Sequence, residues 1–234
     1  MTPEQLSACG LSLSTTQYLR LEHFVRLLLR ENQWVNLTAI REPQAVWRLH
    51  ICESLALLPL IERSRAQTLL DLGTGGGLPG IPLACVRDDL AITLLDATRK
   101  KLIACERMVT ELGLRHVGWV WGRAEELAHD QRLRQRFDAV TARGVGPLPT
   151  LIEYAAGFVR VGGQCWFSKS LAGIEAEVER AKRAAGQCGL RLADLHRFSL
   201  PEEPGQRVVV VYQKHKSTPK RFPREPGRPK RRPL

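Results

Sequence analysis

An aspartate followed by spaced glycines, Asp71-Leu72-Gly73-Thr74-Gly75-Gly76-Gly77, runs into Leu78-Pro79-Gly80-Ile81-Pro82 and is the stretch of this chain best suited to chemistry. The apolar residues before the glycines and the proline-bearing segment after them read as strand, tight loop and helix, the first unit of a parallel α/β sheet. Gly73, Gly75 and Gly77 permit positive φ and keep Cβ atoms away from a flat ligand. Turned-out amides and the following helix start suit a carboxylate. Gly75-x-Gly77-x-x-Gly80 also matches the dinucleotide pattern. A P-loop would need Lys-Ser/Thr where Ile81 and Pro82 stand. An acid closing the first strand repels a pyrophosphate but holds an ammonium group, directly or through water. S-adenosylmethionine carries an ammonium, a carboxylate, a ribose diol and an adenine. It fits Asp71 and the loop better than a dinucleotide or a purely structural turn does.

Other strand ends carry further candidates, because ligands of doubly wound sheets bind beyond the carboxyl ends of the strands. Asp96, 19 residues after Gly77, can accept both ribose hydroxyls, or cap the helix that begins at Thr98. Gly122-Arg123-Ala124-Glu125-Glu126 offers a place for adenine against a backbone amide. Arg143, in Thr141-Ala142-Arg143-Gly144, and Lys169 fall where the reacting centre would lie. After the fourth strand there is no Asn-Pro-Pro-Tyr, Asp-Pro-Pro-Tyr or Pro-Cys, the equipment for an exocyclic amine or a pyrimidine carbon. The strand ends also lack a His/carboxylate couple that would deprotonate a hydroxyl. An acceptor needing neither base nor covalent help fits, and guanine N7 is one. Catalysis would then be alignment, with an Arg or Lys donating to guanine O6.

The elements that must position these residues follow from periodicity. Strands are expected at 68–72, 91–95, 117–121, 137–142, 164–168, 190–198 and 207–213, with helices at 80–86, 98–112, 124–130, 147–160 and 171–188. Alternating strands and helices that close in an antiparallel hairpin around Pro201-Glu202-Glu203-Pro204-Gly205 predict a seven-stranded, Rossmann-like α/β sheet. Residues 1–65 read as a helical extension packed on the core. A first helix lies between Thr2-Pro3 and Gly10, a second starts at Ser14 or Thr15, and a third opens at Pro43 and carries Trp47, His50 and Glu53. The sheet domain occupies 66–213.

Net charge is +11, and residues 214–234 hold nine Lys/Arg against one acid. With five prolines, this tail is expected to be extended or disordered and to hold phosphates through Lys220, Arg221 and Arg224, or else to act only as a solubilising arm. The six cysteines are scattered without a Cys-x-x-Cys pair, so neither a disulfide framework nor a metal site is expected. No apolar run approaches the roughly 20 residues of a membrane span, and a cytoplasmic monomer is expected.

Asn36-Leu37-Thr38, His50-x-x-Glu53-Ser54, the glycine loop through Pro82, Leu95-Asp96, Arg123-Ala124-Glu125-Glu126, Phe137-Asp138, Arg143 and Lys169 together resemble the RsmG (GidB) family. The likeness covers residues from about 30 to 170, and Thr218 to Arg224 resemble a tail found in some members. The resemblance implies a class I S-adenosylmethionine-dependent methyltransferase that releases S-adenosylhomocysteine. Its implied acceptor is N7 of a guanine in the 530 loop of 16S ribosomal RNA (guanine 527), within the small subunit or an assembly intermediate. Carried over residue by residue, the implied donor contacts are Gly73, Leu78, Ala124, Glu125 and Arg143; Asp71, Gly75 and Gly77 come from the glycine loop and Asp96 from the strand-end reading. Asn36, His50, Arg123 and Lys169 are directed to RNA or the target base, with Arg143 and Lys169 positioning the guanine. Another RNA or protein acceptor, or an RNA-binding module with a vestigial donor site, are the competing readings.

Overall fold

The computed structural model describes residue 6, residues 10–203 and residues 205–234. Strands β1 (Thr68–Leu72), β2 (Ala91–Asp96), β3 (Val117–Trp121), β4 (Phe137–Arg143), β5 (Val159–Ser170), β6 (Leu190–Ser199) and β7 (Gln206–Lys214) form one sheet in the order β3-β2-β1-β4-β5-β7-β6. The first five run parallel, and β7 lies antiparallel between β5 and β6. The direction of chain progression reverses between β1 and β4, which opens a crevice at their carboxyl ends. Asp71, the glycine loop and Arg143 all sit there.

Alternation along the strands divides the apolar residues between two cores. Leu69, Ile92, Leu94, Trp166, Val209 and Val211 face one, and Leu70, Leu72, Val140, Phe167, Val208 and Val210 face the other. The first core is shared with the N-terminal helices, whose Leu21, Phe24, Leu28, Ile51 and Leu55 are fully buried. Helix α1 (Thr15–Glu31) starts at a capping box, with Ser14 Oγ accepting from the Gln17 amide and Gln17 Oε1 accepting from the Ser14 amide. Ion pairs of Arg30 with Glu111 and of Arg107 with Glu31 tie its end to α5 (Arg99–Glu111). The expected helix before Gly10 lies outside the described residues, apart from Leu6.

The helix opened by Pro43, α2, consists of Pro43–Val46, a π-helical turn Trp47–Ile51 and Cys52–Leu55 in direct succession. It is followed by α3 (Leu58–Ser64), and β1 leads through the glycine loop into α4 (Gly80–Val86). Beyond β3 lie α6 (Ala124–Leu127), α7 (Leu148–Ala156) and α8 (Ile174–Cys188). The helix expected over 147–160 stops at Ala156. Val159 already pairs with Phe137, and an irregularity then shifts the register so that Ala139 pairs with Gln164. Among the described residues no helix is long and apolar enough to cross a membrane.

The expectation of an extended or disordered tail is corrected. Residues 214–234 dock on α7 and α8 and end in a turn of helix, α9 (Arg228–Arg231). Thr218 Oγ1 donates to the carbonyl oxygens of Ala156 and Cys188, at 2.8 and 2.9 Å. Lys214 Nζ, equally buried, reaches Ala156 O at 2.6 Å, and burial lowers its pKa to about 8. Arg134 clasps the carbonyls of Thr218, Pro219 and Phe222. Phe222 joins the second core, and Arg224 makes a bidentate pair with the fully buried Glu153. The prolines do not oppose this docking, since Pro229 stands in the first helical turn, where no amide hydrogen is needed.

Removing Arg224 would leave Glu153 as an uncompensated buried charge, a loss of about 3 kcal/mol. Arg224→Ala is therefore expected to lower unfolding stability in urea by that order. A change below about 0.5 kcal/mol, the size of an ordinary surface substitution, would mean that the tail is undocked in solution.

Candidate active site

The loop after β1 is built around one carboxylate. Asp71 is fully buried, and its Oδ2 accepts from Thr74 Oγ1 at 2.6 Å and from the Gly80 amide at 2.9 Å. A Cβ on Gly80 would meet Leu94 Cδ2 at 2.5 Å and Asp71 Oδ2 at 2.9 Å, so only glycine lets α4 approach the strand this closely. Gly73 has φ +70°, and a Cβ there would strike Val145 Cγ2 at 2.6 Å. The amides of Gly73 and Thr74 donate to Leu95 O, hooking the loop onto the end of β2. Asp71 Oδ1 is buried without a hydrogen-bond partner. Burial raises the Asp71 pKa to about 6 against the opposing bonds from Thr74 and Gly80.

Beside the loop lies a cavity of about 460 Å³ whose walls include Gly73, Gly75, Asp96, Ala124 and Glu125. Asp96 accepts from the Gly75 amide through Oδ2 at 2.9 Å and from the Thr98 amide through Oδ1 at 2.7 Å. It thus serves the start of α5 and the glycine loop at once, with a lone pair left on each oxygen. Glu125, almost fully buried, accepts through Oε1 from the Gly227 amide (2.8 Å), Arg123 Nη2 (3.0 Å) and Tyr154 Oη (3.3 Å). Burial alone would push its carboxyl up, but the Gly227 amide, its own amide and Arg123 hold it below the usual range. Asp71, Gly77, Leu78 and Arg143 stand outside the cavity wall. Asp71 and Leu78 are buried, and Gly77 packs against Ile81.

Arg143, at the end of β4, belongs to a second cluster held by the N-terminal helices. Its Nη1 donates to Leu49 O and to Glu53 Oε2, each at 3.3 Å, and its Nη2 lies 2.9 Å from His50 Nδ1. Leu49 and His50 both belong to the π-helical turn. A guanidinium has no acceptor, so His50 Nδ1 must accept, and the ring proton lies on Nε2. From there it reaches Thr38 Oγ1 at 2.7 Å. Burial, reinforced by the Arg143 charge, lowers the His50 pKa to about 4, so His50 is neutral near pH 7. Asn32, a buried residue that motif reasoning passed over, shapes this loop by binding the Leu37 and Thr38 amides and Thr38 O. Its signal was a polar side chain at the helix end just before Asn36-Leu37-Thr38.

The remaining candidates divide. Asn36 is exposed on that loop, and Arg123 is half-exposed at the cavity. Lys169, expected to position a base, is turned elsewhere: its Nζ donates to Gly146 O at 2.8 Å and to Glu177 Oε1 at 2.7 Å. It braces the 144–147 loop, with Glu177 also accepting from the Leu148 amide. Lys220 and Arg221 are exposed, whereas Arg224 is committed to Glu153, which corrects its assignment to phosphates. Among the described residues no group of three or more His, Cys, Asp or Glu could hold a metal ion.

Sheet order, glycine loop and acidic second strand end together define the class I S-adenosylmethionine-dependent methyltransferase fold. An O-methyltransferase from Bacillus cereus in complex with SAH matches with TM-score 0.60 at 15% identity, over 90% of this chain and 96% of that one. The O-methyltransferase TomG from Streptomyces achromogenes, in complex with SAM, matches with TM-score 0.59 at 18% identity, over 92% and 96%. These two likenesses concern the fold alone. The GidB family, rRNA small subunit methyltransferase G, matches residues 17–204, and this chain belongs to that family. A ribosomal RNA small subunit methyltransferase G from Moorella thermoacetica is 38% identical over 225 residues, 96% of this chain and 93% of the relative. That of Brevibacillus brevis is 36% identical over 238 residues, covering 100% of both chains.

The Arg143–His50–Thr38 chain predicts that nitrogen-15 NMR of labelled histidine finds His50 as the Nε2–H tautomer at pH 7 and titrating near 4. Arg143→Ala should move that titration up only in part, because burial, the larger cause of the depression, remains. Because the folded pKa is depressed, His50 contributes its full stability above about pH 6.5 and loses it progressively as pH falls toward 4. A His50 resonance titrating at 6.5 in the unmodified protein would contradict the cluster.

Proposed function

We propose that this protein transfers a methyl group from S-adenosylmethionine to N7 of a guanine in the 530 loop of 16S ribosomal RNA, in the cytoplasm. The observation that carries this reading is a partly buried arginine beside the donor cavity, oriented by a neutral histidine whose two ring nitrogens are both engaged. The residues fit the donor. Gly75 lines the cavity, where a Cβ would meet only Gly73 O, at 3.9 Å. Asp96 keeps lone pairs for the ribose hydroxyls, and the walls at Ala124 and Glu125 are left to the adenine. Asp71 Oδ1, otherwise orphaned, is the acceptor for the ammonium or for a water that bridges to it. When bound, S-adenosylmethionine supplies a sulfonium-activated methyl group.

What the chain itself must do is align the acceptor. The N7 lone pair forms the new bond while the sulfur–methyl bond breaks, and no proton leaves that nitrogen, so no general base is required. Three of the five N–H groups of Arg143 are taken by Leu49 O, Glu53 and His50. Two remain to reach guanine O6 or the donor carboxylate. His50 has both ring nitrogens engaged and acts as a positioning residue for Arg143.

Labelled methyl transfer to small ribosomal subunits lacking the modification tests this reading. Label is expected at N7 of a single guanine in the 530 loop, and Arg143→Ala should lower the rate by at least about 100-fold with a much smaller loss of stability. Donor binding without label on that loop would redirect the activity to another acceptor. A second expectation concerns pH. Below about pH 6 the Asp71 carboxyl takes up a proton and loses the charge that would face the ammonium. Calorimetry should therefore show donor affinity falling several-fold as pH drops from 7 to 5, and a flat profile in Asp71→Asn. An unchanged affinity across that interval would remove Asp71 from donor binding.

A further inference from the structure

We propose that the final turn of the chain completes the donor site. In this reading the Gly227 amide fixes Glu125, and Lys230 reaches the adenine side of the cavity as a positioning residue for S-adenosylmethionine. The inference rests on the donor reading above and adds to it residues about 100 positions distant from the motif they serve.

The geometry comes from three anchors. Arg224 and its own amide bind the buried carboxylate of Glu153 on α7. Thr150 Oγ1, one helical turn earlier on α7, donates to Pro229 O at 3.1 Å, and Pro229 is buried. Between these points the Gly227 amide donates to Glu125 Oε1 at 2.8 Å. The strap therefore crosses α7 and brings Lys230 to the cavity wall. Lys230, three residues beyond Gly227 and so on the same side of the turn, is part of the cavity wall together with Tyr154, Arg123 and Glu125.

Chemistry assigns the strap its part. Adenine presents ring nitrogens that only accept and an exocyclic amine that donates. An ammonium can serve the first, and a carboxylate held in one orientation can serve the second. Glu125 is held by three donors, and the one supplied by the tail is the shortest. Arg143 and Asp71, expected toward the methionine end, lie outside this wall. A contribution from Lys230 should thus be the same for the methyl donor and for its demethylated product.

The test is calorimetric binding of S-adenosylmethionine and S-adenosylhomocysteine to the full chain and to variants. Lys230→Ala, at an exposed position, should weaken both ligands by the same factor, about tenfold for a lost charged hydrogen bond. The melting temperature of the ligand-free protein should stay unchanged, and Lys230→Arg should restore most of the affinity. Deleting residues 227–234 should weaken both ligands at least as much, whereas Arg228→Ala, a cation on the same turn but off the cavity wall, should not. The amides of Gly227, Arg228, Lys230 and Arg231 should exchange more slowly in the presence of S-adenosylhomocysteine. Affinities within twofold of the full chain in both Lys230→Ala and the deletion, with unaltered exchange, would overturn the strap's role while leaving the donor reading intact. If the full chain binds neither ligand, the donor reading fails first and this inference with it.

Discussion

The site depends on a carboxylate that has been enclosed without being neutralised. Asp71 gives one oxygen to Thr74 and Gly80 and leaves the other without a partner. Removing an ionised carboxylate from water costs several kcal/mol even after relaxation, and two neutral donors offset only part of that. The glycines follow from it. Gly80 must lack a side chain because Asp71 and Leu94 already fill the space, and Gly73 must lack one because Val145 does. A chain selected only for stability would place an apolar residue at this position. A buried charge that breaks the local rules of a good core marks a place where function has set the residue.

Around that point the sheet supplies position and the flanking segments supply orientation. The N-terminal helices share a core with one face of the sheet and send the π-helical turn to Arg143. They provide a carbonyl, a carboxylate and a neutral imidazole, so the guanidinium is directed without its charge being cancelled outright. Burial lowers the Arg143 pKa, while Glu53 and Asp71 favour its charged form. On the other face, the tail performs a comparable service for Glu125. Helical extension and basic tail are thereby parts of one machine, each bracing one side of the crevice at the ends of β1 and β4.

Much of this was legible in the sequence, for identifiable reasons. The seven strands and the hairpin follow from short apolar runs bounded by glycine, proline and acids, and glycine spacing with Asp71 and Asp96 marks the crevice because local chain geometry alone sets it. Long-range pairing was not legible. Lys169 has the right type and place to face a base, yet Glu177, eight residues on, captures it. Arg224 looked like a phosphate contact because nothing local tells of Glu153 buried 71 residues earlier. The tail's apolar content is confined to Phe222, Leu234 and five prolines, too little to signal docking, and its attachment relies largely on carbonyls and a buried carboxylate that composition does not reveal. The π-helical turn was equally hidden, since Trp47 to Ile51 keep an ordinary helical pattern.

Proton bookkeeping explains why so few groups suffice. Of the candidate bases near the crevice, His50 has both nitrogens occupied, Asp96 holds two backbone amides, and Glu125 accepts three donors through a single oxygen. A hydroxyl or amine acceptor would need one of these groups, or the unpartnered Asp71 Oδ1, to take up its proton. An acceptor with an in-plane lone pair needs none, and the rate then depends on how well the partners are held in line. Rigidity is what this arrangement provides: Arg143 is fixed by three partners on α2, which is itself tied to Thr38 through His50. On the proposed reaction the same guanidinium would bear on specificity, because a fixed donor is matched by guanine O6 and opposed by the exocyclic amine of adenine. On that proposal one residue and its supports would both select the base and align N7.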